Sequence, residues 1–225
     1  LVDIEILLLT LGGDVKHVLE VSRQLRDLKL RLVEGGGVEI NGVRVVGKGT
    51  NSVVFLCRSA VGDVLLACKI RRRDSSRDSL ATEGQLLHLA NLVGVGPRLY
   101  TYSRDVVAYH YVDGVYFEKW WGGADSEEKR RVVGDLLTQA YRLDTAGVLH
   151  NELSRLNRHV LISGGSPVIL DFESATLGSG KNVTQVVSGL MKFGLKPPVE
   201  ALRRYKSCLC EEAFRQILTL CLNQI

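Results

Sequence analysis

The spacing of apolar residues along the first half of the chain predicts one helix and then a group of short strands. Residues 14–33 carry apolar side chains at helical spacing, with Asp14 as the N-cap, and three glycines follow. Residues 38–70 are valine-rich and alternating, with breaks at glycine turns, which is typical of antiparallel strands. This half closes with a predicted helix over 77–93 and predicted strands near 99–102 and 106–111.

The second half of the chain is predicted to be mostly helical. Asp125 and Glu128 form an acidic capping pattern before a helix whose apolar face includes Val133 and Leu137. A short strand pair near 160–162 and 168–170 precedes helices near 183–191 and from 199 onward. A β-rich lobe followed by a helical lobe predicts an α+β fold with a ligand cleft between the two lobes.

Composition narrows the class of protein. The chain has 225 residues, 45% of them hydrophobic and 24% charged, which excludes disordered, collagen-like and coiled-coil proteins. Its longest apolar run, residues 6–9, is far shorter than the ~20 residues that a membrane helix needs, and no signal peptide is indicated. We therefore expect a soluble cytoplasmic protein with no membrane partner. A net charge of +4 suits a phosphate-bearing partner.

The cysteines are interpreted as structural. They are Cys57, Cys68, Cys208, Cys210 and Cys221. No two are spaced as C-x-x-C, and the pair at 208 and 210 has no second pair or nearby histidine to complete four metal ligands. We expect reduced thiols that serve as small apolar side chains.

A glycine-rich turn is the first feature with a chemical implication. Gly47, Gly49 and Ser52 lie where one predicted strand turns into the next. Glycines at such a turn let backbone N–H groups approach phosphates, because no Cβ intrudes. A strand follows the turn, which argues against a Rossmann nucleotide-binding turn. An ordinary hairpin turn is the alternative.

Two charged residues lie on faces that are otherwise apolar. Lys69 alternates with Ala67 along an apolar strand, and a buried ammonium needs a partner or an anionic ligand. The alternative is a strand-end lysine that reaches solvent. Glu83 lies on the inward stripe of the following helix, and Lys69 is the nearest candidate cation in sequence. An exposed ion pair contributes only ~0.2–1 kcal/mol, so stability alone explains this pair poorly.

Polar residues at 150–157 and 168–173 carry the strongest signal. Glu152 and Asn157 lie five residues apart in a loop, and Asp171 ends an apolar strand. These side chains supply one base and two oxygen ligands, the ligand type that Mg²⁺ prefers. The alternatives are a helix N-cap for Asp171 and a structural role for His150.

The order of these motifs resembles the protein-kinase signature set: a glycine-rich turn, a strand lysine, a helix glutamate, H-x-[acid]-L-x-x-x-N and D-F-x. Few residues follow the D-F-x motif, and no A-P-E motif occurs among them. The chain therefore resembles reduced, atypical kinases, namely the RIO family and the kinase subunit of the KEOPS complex. The residues around 157–161 are similar to a group of archaeal predicted Ser/Thr protein kinases.

This resemblance implies a fold and an activity. The expected fold is an α+β, protein kinase-like, two-lobed fold with a small antiparallel-β N-lobe and a reduced helical C-lobe. Its expected divisions are an N-terminal helical extension over 1–37, the N-lobe over 38–114 and the C-lobe over 115–225. The implied function is an atypical Ser/Thr protein kinase or ATPase that transfers the γ-phosphate of Mg²⁺-ATP to a protein substrate.

The resemblance also implies roles for individual residues. The phosphates would be covered by Gly47, Gly49 and Ser52, and contacted by Lys69, which Glu83 would hold. The adenine would be walled by Val54 and Ala67, with Tyr109 as gatekeeper and Tyr111 in the hinge. The metal ion Mg²⁺ would be held by Asn157 and Asp171, and the substrate hydroxyl would be oriented by Glu152.

The chain departs from the kinase pattern at three positions. Glu152 stands where the family has Asp, and its extra methylene moves the carboxylate outward. Glu173 replaces the glycine of D-F-G, and Ser52 replaces the last glycine of the loop. A nucleotide-binding pseudokinase scaffold with little transferase activity is the alternative function. A small-molecule kinase of related fold is a third one.

Two basic clusters bear on partners. The first lies on the predicted N-terminal helix and comprises Lys16, Arg23, Arg26, Lys29 and Arg31. The second comprises residues 71–73 with Arg77. Together with the resemblance they suggest an RNA or ribonucleoprotein partner. A solvated basic surface is the alternative.

Overall fold

The computed structural model describes residues 4–225 and shows a mixed α+β protein with antiparallel sheets, as the sequence predicted. The chain divides into two compact units. The first contains the described residues up to Gln85 together with Arg98–Val112, and the second contains Leu86–Pro97 together with Asp113–Ile225.

The first unit is built on an antiparallel sheet. Its helices are α1 (Ile4–Leu11) and α2 (Val15–Asp27), and α3 (Ala81–Leu92) begins in it. Its strands are β1 (Leu30–Val33), β2 (Val38–Ile40), β3 (Val43–Val45), β4 (Gly47–Lys48), β5 (Ser52–Ser59), β6 (Leu65–Arg71), β7 (Leu99–Tyr102) and β8 (Val106–His110). The main sheet has the order β1-β5-β6-β8-β7, with β4 also paired to β5, while β2 and β3 form a separate hairpin.

The first predicted helix is shorter than the sequence suggested. Asp14 caps α2 as expected, because its carboxylate accepts the backbone N–H groups of Lys16 and His17. The helix ends at Asp27, and Lys29 takes a positive φ of 56°. Residues 30–33 then pair with β5, so the sheet's hydrogen bonds override the helical spacing there. The prediction of one helix over 14–33 is therefore wrong beyond residue 27.

Helices α1 and α2 share one hydrophobic core with the main sheet. Leu7, Val21 and Leu25 are buried in the same cluster as Phe55 and Ile70. The segment expected as an extension over 1–37 thus contributes, from residue 4 onward, to the core of the first unit. Residues 1–3 lie outside the described part of the chain.

The cysteines are not all reduced, contrary to the expectation. Cys57 and Cys68 form a disulfide between β5 and β6, with Cα atoms 6.0 Å apart, and Cys208 is bonded to Cys210. Antiparallel pairing of β5 and β6 brings the first two cysteines into reach, which spacing along the chain does not reveal. Cys221 is a buried free thiol, and burial raises its pKa to about 11.

The second unit is mainly helical. Its helices are α4 (Phe117–Trp121), α5 (Ser126–Ala146), α6 (Leu156–His159), α7 (Asn182–Leu190), a 3₁₀ turn (Met191–Phe193), α8 (Val199–Cys208) and α9 (Glu211–Leu222). Its strands are β9 (Val115–Tyr116), β10 (Val148–Leu149), β11 (Val160–Ser163), β12 (Ser166–Ile169) and β13 (Thr176–Leu177), in the orders β12-β11-β9 and β10-β13. The predicted capping box of Asp125 and Glu128 begins α5, and Gly147 ends it with a left-handed φ of 72°.

Across residues 4–225, no helix combines the length and the apolar character that crossing a membrane requires.

Candidate functional site

One face of the main sheet in the first unit carries most of the residues predicted to contact a nucleotide. In the antiparallel register, Val54 lies opposite Lys69, and Ala67 lies opposite Tyr109. Residues that lie opposite one another, or two apart along a strand, share a face of a sheet. These four side chains therefore lie on the face opposite the hydrophobic core. Tyr111 follows just beyond β8, where its backbone N–H donates to the carbonyl of Leu65 at 3.4 Å.

Lys69 and Glu83 form a buried ion pair within the first unit. The Lys69 Nζ donates to Glu83 Oε1 at 3.0 Å, and both side chains are 5% exposed. This confirms the predicted pair and excludes a lysine that reaches solvent. The desolvation of two buried charges offsets much of their attraction, so a buried pair is weak support for a stabilising role.

The glycine-rich segment lies in a turn between two strands, β4 and β5, as the sequence predicted. Gly47 in β4 lies opposite Val54 in β5, and the backbone N–H of Gly49 donates to the carbonyl of Ser52 at 2.8 Å. The turn is also tied to the segment after β6, because the backbone N–H of Arg72 donates to the carbonyl of Asn51 at 2.8 Å. Ser52 is buried. Contact of this turn with phosphates stays a prediction.

In the second unit, His150 has a structural role. It is fully buried, its backbone N–H donates to Asn182 Oδ1 at 3.0 Å, and its Nε2 lies 2.8 Å from the carbonyl oxygen of Leu170. Burial lowers the pKa of His150 to about 4, so the ring is neutral near pH 7. A neutral ring whose Nε2–H donates to Leu170 fastens the loop after β10 to the end of β12.

A buried polar network centred on Asp144 and Asn182 holds the loop after β10 in place. Asn182 donates through Nδ2 to Asp144 Oδ1 and to the carbonyl of Val148, each at 2.8 Å. Asp144 Oδ2 accepts the hydroxyl of Tyr205 at 2.9 Å. Burial, reinforced by Asp144, raises the pKa of Tyr205, so the hydroxyl stays protonated and donates. Leu153 is held as well, because its backbone N–H donates to Gln185 Oε1 at 2.9 Å.

Sequence reasoning missed this network. Its members lie far apart along the chain, and only α5 carried a signal. Asp144 follows Val133, Leu137 and Ala140 at helical spacing, so a carboxylate occupies the apolar stripe of the helix. A buried carboxylate at such a position needs several donors, and that requirement identifies Asp144 as a structural centre.

Glu152, His159 and Asp171 come together near the end of α6. His159 Nε2 lies 3.8 Å from Glu152 Oε2, and His159 Nδ1 lies 3.8 Å from Asp171 Oδ2. One ligand atom from each of the three side chains lies within 4.8 Å of the other two. The second oxygen of Glu152 accepts a hydrogen bond from Arg155 at 2.9 Å. The sequence analysis identified Glu152 and Asp171 as candidate site residues, but it missed His159.

Asn157 occupies a different side of α6. Its side chain is exposed, whereas His159 is buried. Two positions along an α-helix are separated by a rotation of about 200°, so side chains at 157 and 159 point in roughly opposite directions. The role of Asn157 as a metal ligand stays a prediction, and His159 is a competing donor.

Asp171 has an unusual backbone. Its φ of 66° lies in the left-handed region, which costs a non-glycine residue of order 1 kcal/mol or more. The residues after it form a turn that leads to β13, so the alternative role of helix N-cap is wrong. The next side chain, Phe172, is buried with its ring 5.0 Å from that of His150. The same packing that anchors His150 therefore also fixes the position of Asp171.

The basic cluster at 71–73 is largely neutralised within the first unit. Arg71 pairs with Asp105 at 2.5 Å, Arg72 with Asp74 at 2.7 Å and Arg73 with Asp14 at 2.6 Å. Four basic side chains line a groove, Lys16, Arg23 and Arg26 on α2 and Arg104 between β7 and β8. One carboxylate, that of Glu20, lines the same groove and pairs with Arg23 at 2.8 Å. The groove is thus the more basic of the two surfaces.

Comparison with known proteins assigns no family. No protein-family model matches the chain, and no curated protein matches it.

Proposed function

We propose that the chain is an atypical, kinase-like phosphotransferase that transfers the γ-phosphate of Mg²⁺-ATP to a hydroxyl of a protein substrate. The observation that carries this proposal is the buried Lys69–Glu83 ion pair. It lies on the same face of the sheet as Val54 and Ala67, which offer an apolar surface to a base. A fixed ammonium beside apolar side chains suits a nucleotide phosphate next to its base.

The second unit contributes oxygen donors to the proposal. Asp171 is a partly exposed carboxylate at a fixed backbone position, and this donor type fits Mg²⁺. When bound, the metal neutralises charge that develops on the transferred phosphoryl group. Glu152 would accept or orient the substrate hydroxyl. The fold that accompanies this proposal is the two-lobed, protein kinase-like one.

The cellular setting is part of the same proposal. We expect a cytoplasmic protein whose partners are ATP and a protein substrate. An RNA or ribonucleoprotein partner would bind the basic groove on α2, since the guanidinium groups at 71–73 are already paired.

Nucleotide binding and phosphate transfer test the proposal directly. Isothermal titration with Mg²⁺-ATP should give binding that Lys69→Ala weakens at least about tenfold, because a charge partner of the phosphates is lost. Lys16→Ala is the matched control, since Lys16 is an exposed lysine of the same unit. Incubation with γ-labelled ATP should label the protein or an added substrate, and Asp171→Asn should abolish this labelling. Absence of ATP binding by the unaltered chain would refute the proposal.

A nucleotide-binding scaffold with little transferase activity is the second candidate. The hydrogen bond between Arg155 and Glu152 favours it, because this bond occupies one oxygen of the carboxylate that would orient the substrate hydroxyl. In this case Mg²⁺-ATP raises the melting temperature, while Glu152→Gln leaves any residual turnover unchanged. A loss of turnover in Glu152→Gln would favour the phosphotransferase.

A further inference from the structure

Three side chains of the second unit converge with the geometry of a metal site. Glu152 lies in the loop after β10, His159 at the end of α6 and Asp171 after β12. One ligand atom from each side chain, with a single ring nitrogen from His159, lies within 4.8 Å of the other two. Donors that bind one ion at about 2.1 Å lie roughly 3 to 4 Å apart, so only a small closure is needed.

The donor set differs in chemistry from the one that the kinase resemblance implies. An imidazole and two carboxylates form a mixed nitrogen and oxygen set, whereas the expected asparagine and aspartate supply oxygen alone. Imidazole favours transition metals, while oxygen ligands suit Mg²⁺. A site that includes His159 therefore discriminates between divalent ions in a way that an Asn157 site does not.

The surrounding structure holds these donors in place before any ion arrives. His159 is 5% exposed, and its ring lies 5.4 Å from that of His150 in an edge-to-face arrangement. His150 is itself tied to Leu170, next to Asp171. Asn151 ties the loop to the segment after Asp171, since its Nδ2 donates to the carbonyl of Ser174 at 2.9 Å. Preorganised ligands lower the ordering cost of binding.

We propose that Glu152, His159 and Asp171 form a site for a divalent transition metal, with Mn²⁺ as the probe, and that His159 takes the place expected for Asn157. This metal site extends the proposed function. It rests on that function in one respect, namely the nucleotide that would share the ion. Arg155 is 56% exposed and can move away from Glu152, so both carboxylate oxygens become available to the ion.

The test measures metal binding by the full chain without nucleotide. Free Mn²⁺ is quantified by its electron paramagnetic resonance signal during titration, and bound Mn²⁺ is then competed with Mg²⁺. We expect bound Mn²⁺ at one site, with displacement only at Mg²⁺ concentrations at least about tenfold higher. Equal affinity for the two ions, or no bound Mn²⁺, would overturn the proposal.

Matched variants locate the site. His159→Asn should lower Mn²⁺ affinity by about tenfold or more and reduce the preference over Mg²⁺, because the imidazole ligand is lost. Asp171→Asn should lower Mn²⁺ affinity as well. His88→Asn, an exposed histidine of the same unit, should change neither quantity. An unchanged affinity in His159→Asn, or an equal loss in Asn157→Ala, would contradict the assignment.

A measurement on the unaltered chain covers the case in which a variant fails to fold. In a spectrum of histidine ring resonances, sub-stoichiometric Mn²⁺ should broaden His159 most strongly and leave the ring of His88 sharp. Uniform broadening of both histidines would contradict the site. The outcomes separate the two proposals. Mn²⁺ binding without ATP binding would support the metal site and refute the phosphotransferase. ATP binding without an effect of Mn²⁺ on His159 would refute the metal site and leave the phosphotransferase supported.

Discussion

The two units position their polar side chains by different means. In the first unit, Lys69 lies on a regular strand and Glu83 on the helix that follows, so alternation and helical spacing decide where each side chain points. In the second unit, Glu152 and Asp171 lie in loops that are fixed by hydrogen bonds from distant residues. The comparison shows that sequence periodicity predicts where a polar side chain points on a helix or strand. In a loop, the same prediction requires knowledge of the hydrogen bonds that hold the loop.

The largest loss of stability is expected when Asp144, the centre of the buried polar network in the second unit, is replaced. Asp144→Ala should destabilise the protein by about 4 to 5 kcal/mol, because a buried carboxylate that accepts several N–H groups and the Tyr205 hydroxyl is lost. Urea unfolding measures the effect. Asp135→Ala, an exposed aspartate on the same helix, should change the free energy of unfolding by less than about 0.5 kcal/mol. Similar losses in both variants would remove the contrast between the units.

The next effect tests the ion pair of the first unit. Lys69→Met should cost about 3 kcal/mol, because it leaves the Glu83 carboxylate buried without this partner. The double variant Lys69→Met with Glu83→Leu should recover most of that stability, since two apolar groups of similar size replace the pair. It should still fail to bind Mg²⁺-ATP in titration calorimetry. Recovery of both stability and ATP binding would show that the pair has no role in binding.

A smaller effect appears in the pH dependence of stability. The pKa of His150 is lowered by burial from 6.5 to about 4, so the unfolded chain binds a proton more readily than the folded one. Stability is therefore complete above about pH 6.5 and falls by about 2 to 3 kcal/mol as the pH decreases toward 4. Urea unfolding from pH 7 to 4 measures this slope. His150→Gln should flatten it, and an unchanged slope would assign the pH dependence to other groups.

The smallest expected effect concerns the exposed side of the loop. Arg155→Ala removes an ion pair in which the arginine is 56% exposed, so the free energy of unfolding should change by less than about 1 kcal/mol. Thermal unfolding checks this, and the control is Arg203→Ala, which removes a more exposed arginine that also pairs with a glutamate three residues away. A loss as large as that of Asp144→Ala would mean that the loop is held from its exposed side.

The sequence predicted the regular parts of the molecule better than the loops. Alternation along β5 and β6 was enough to place Val54 and Lys69, and the caps at Asp14 and Asp125 were read correctly. The strand at 30–33 was missed because its apolar spacing also fits a helix, and only pairing with β5 decides between them.

His159 escaped sequence reasoning for a related reason. A motif comparison points to Asn157, the residue at the expected spacing, and carries no information on how the chain turns after Arg155. The four-residue helix α6 then turns His159 inward and Asn157 outward. The disulfide of Cys57 with Cys68 was missed in the same way, since it depends on strand register.

The positive φ of Asp171 decides how this residue should be mutated. Alanine or glutamate would change the carboxylate and also resist the left-handed backbone, so any loss would mix two causes. Asparagine tolerates that conformation and keeps nearly the same shape, so it removes only the negative charge. Glycine does the reverse, because it relaxes the turn and deletes the ligand. Asp171→Asn and Asp171→Gly together separate electrostatics from chain geometry at one position.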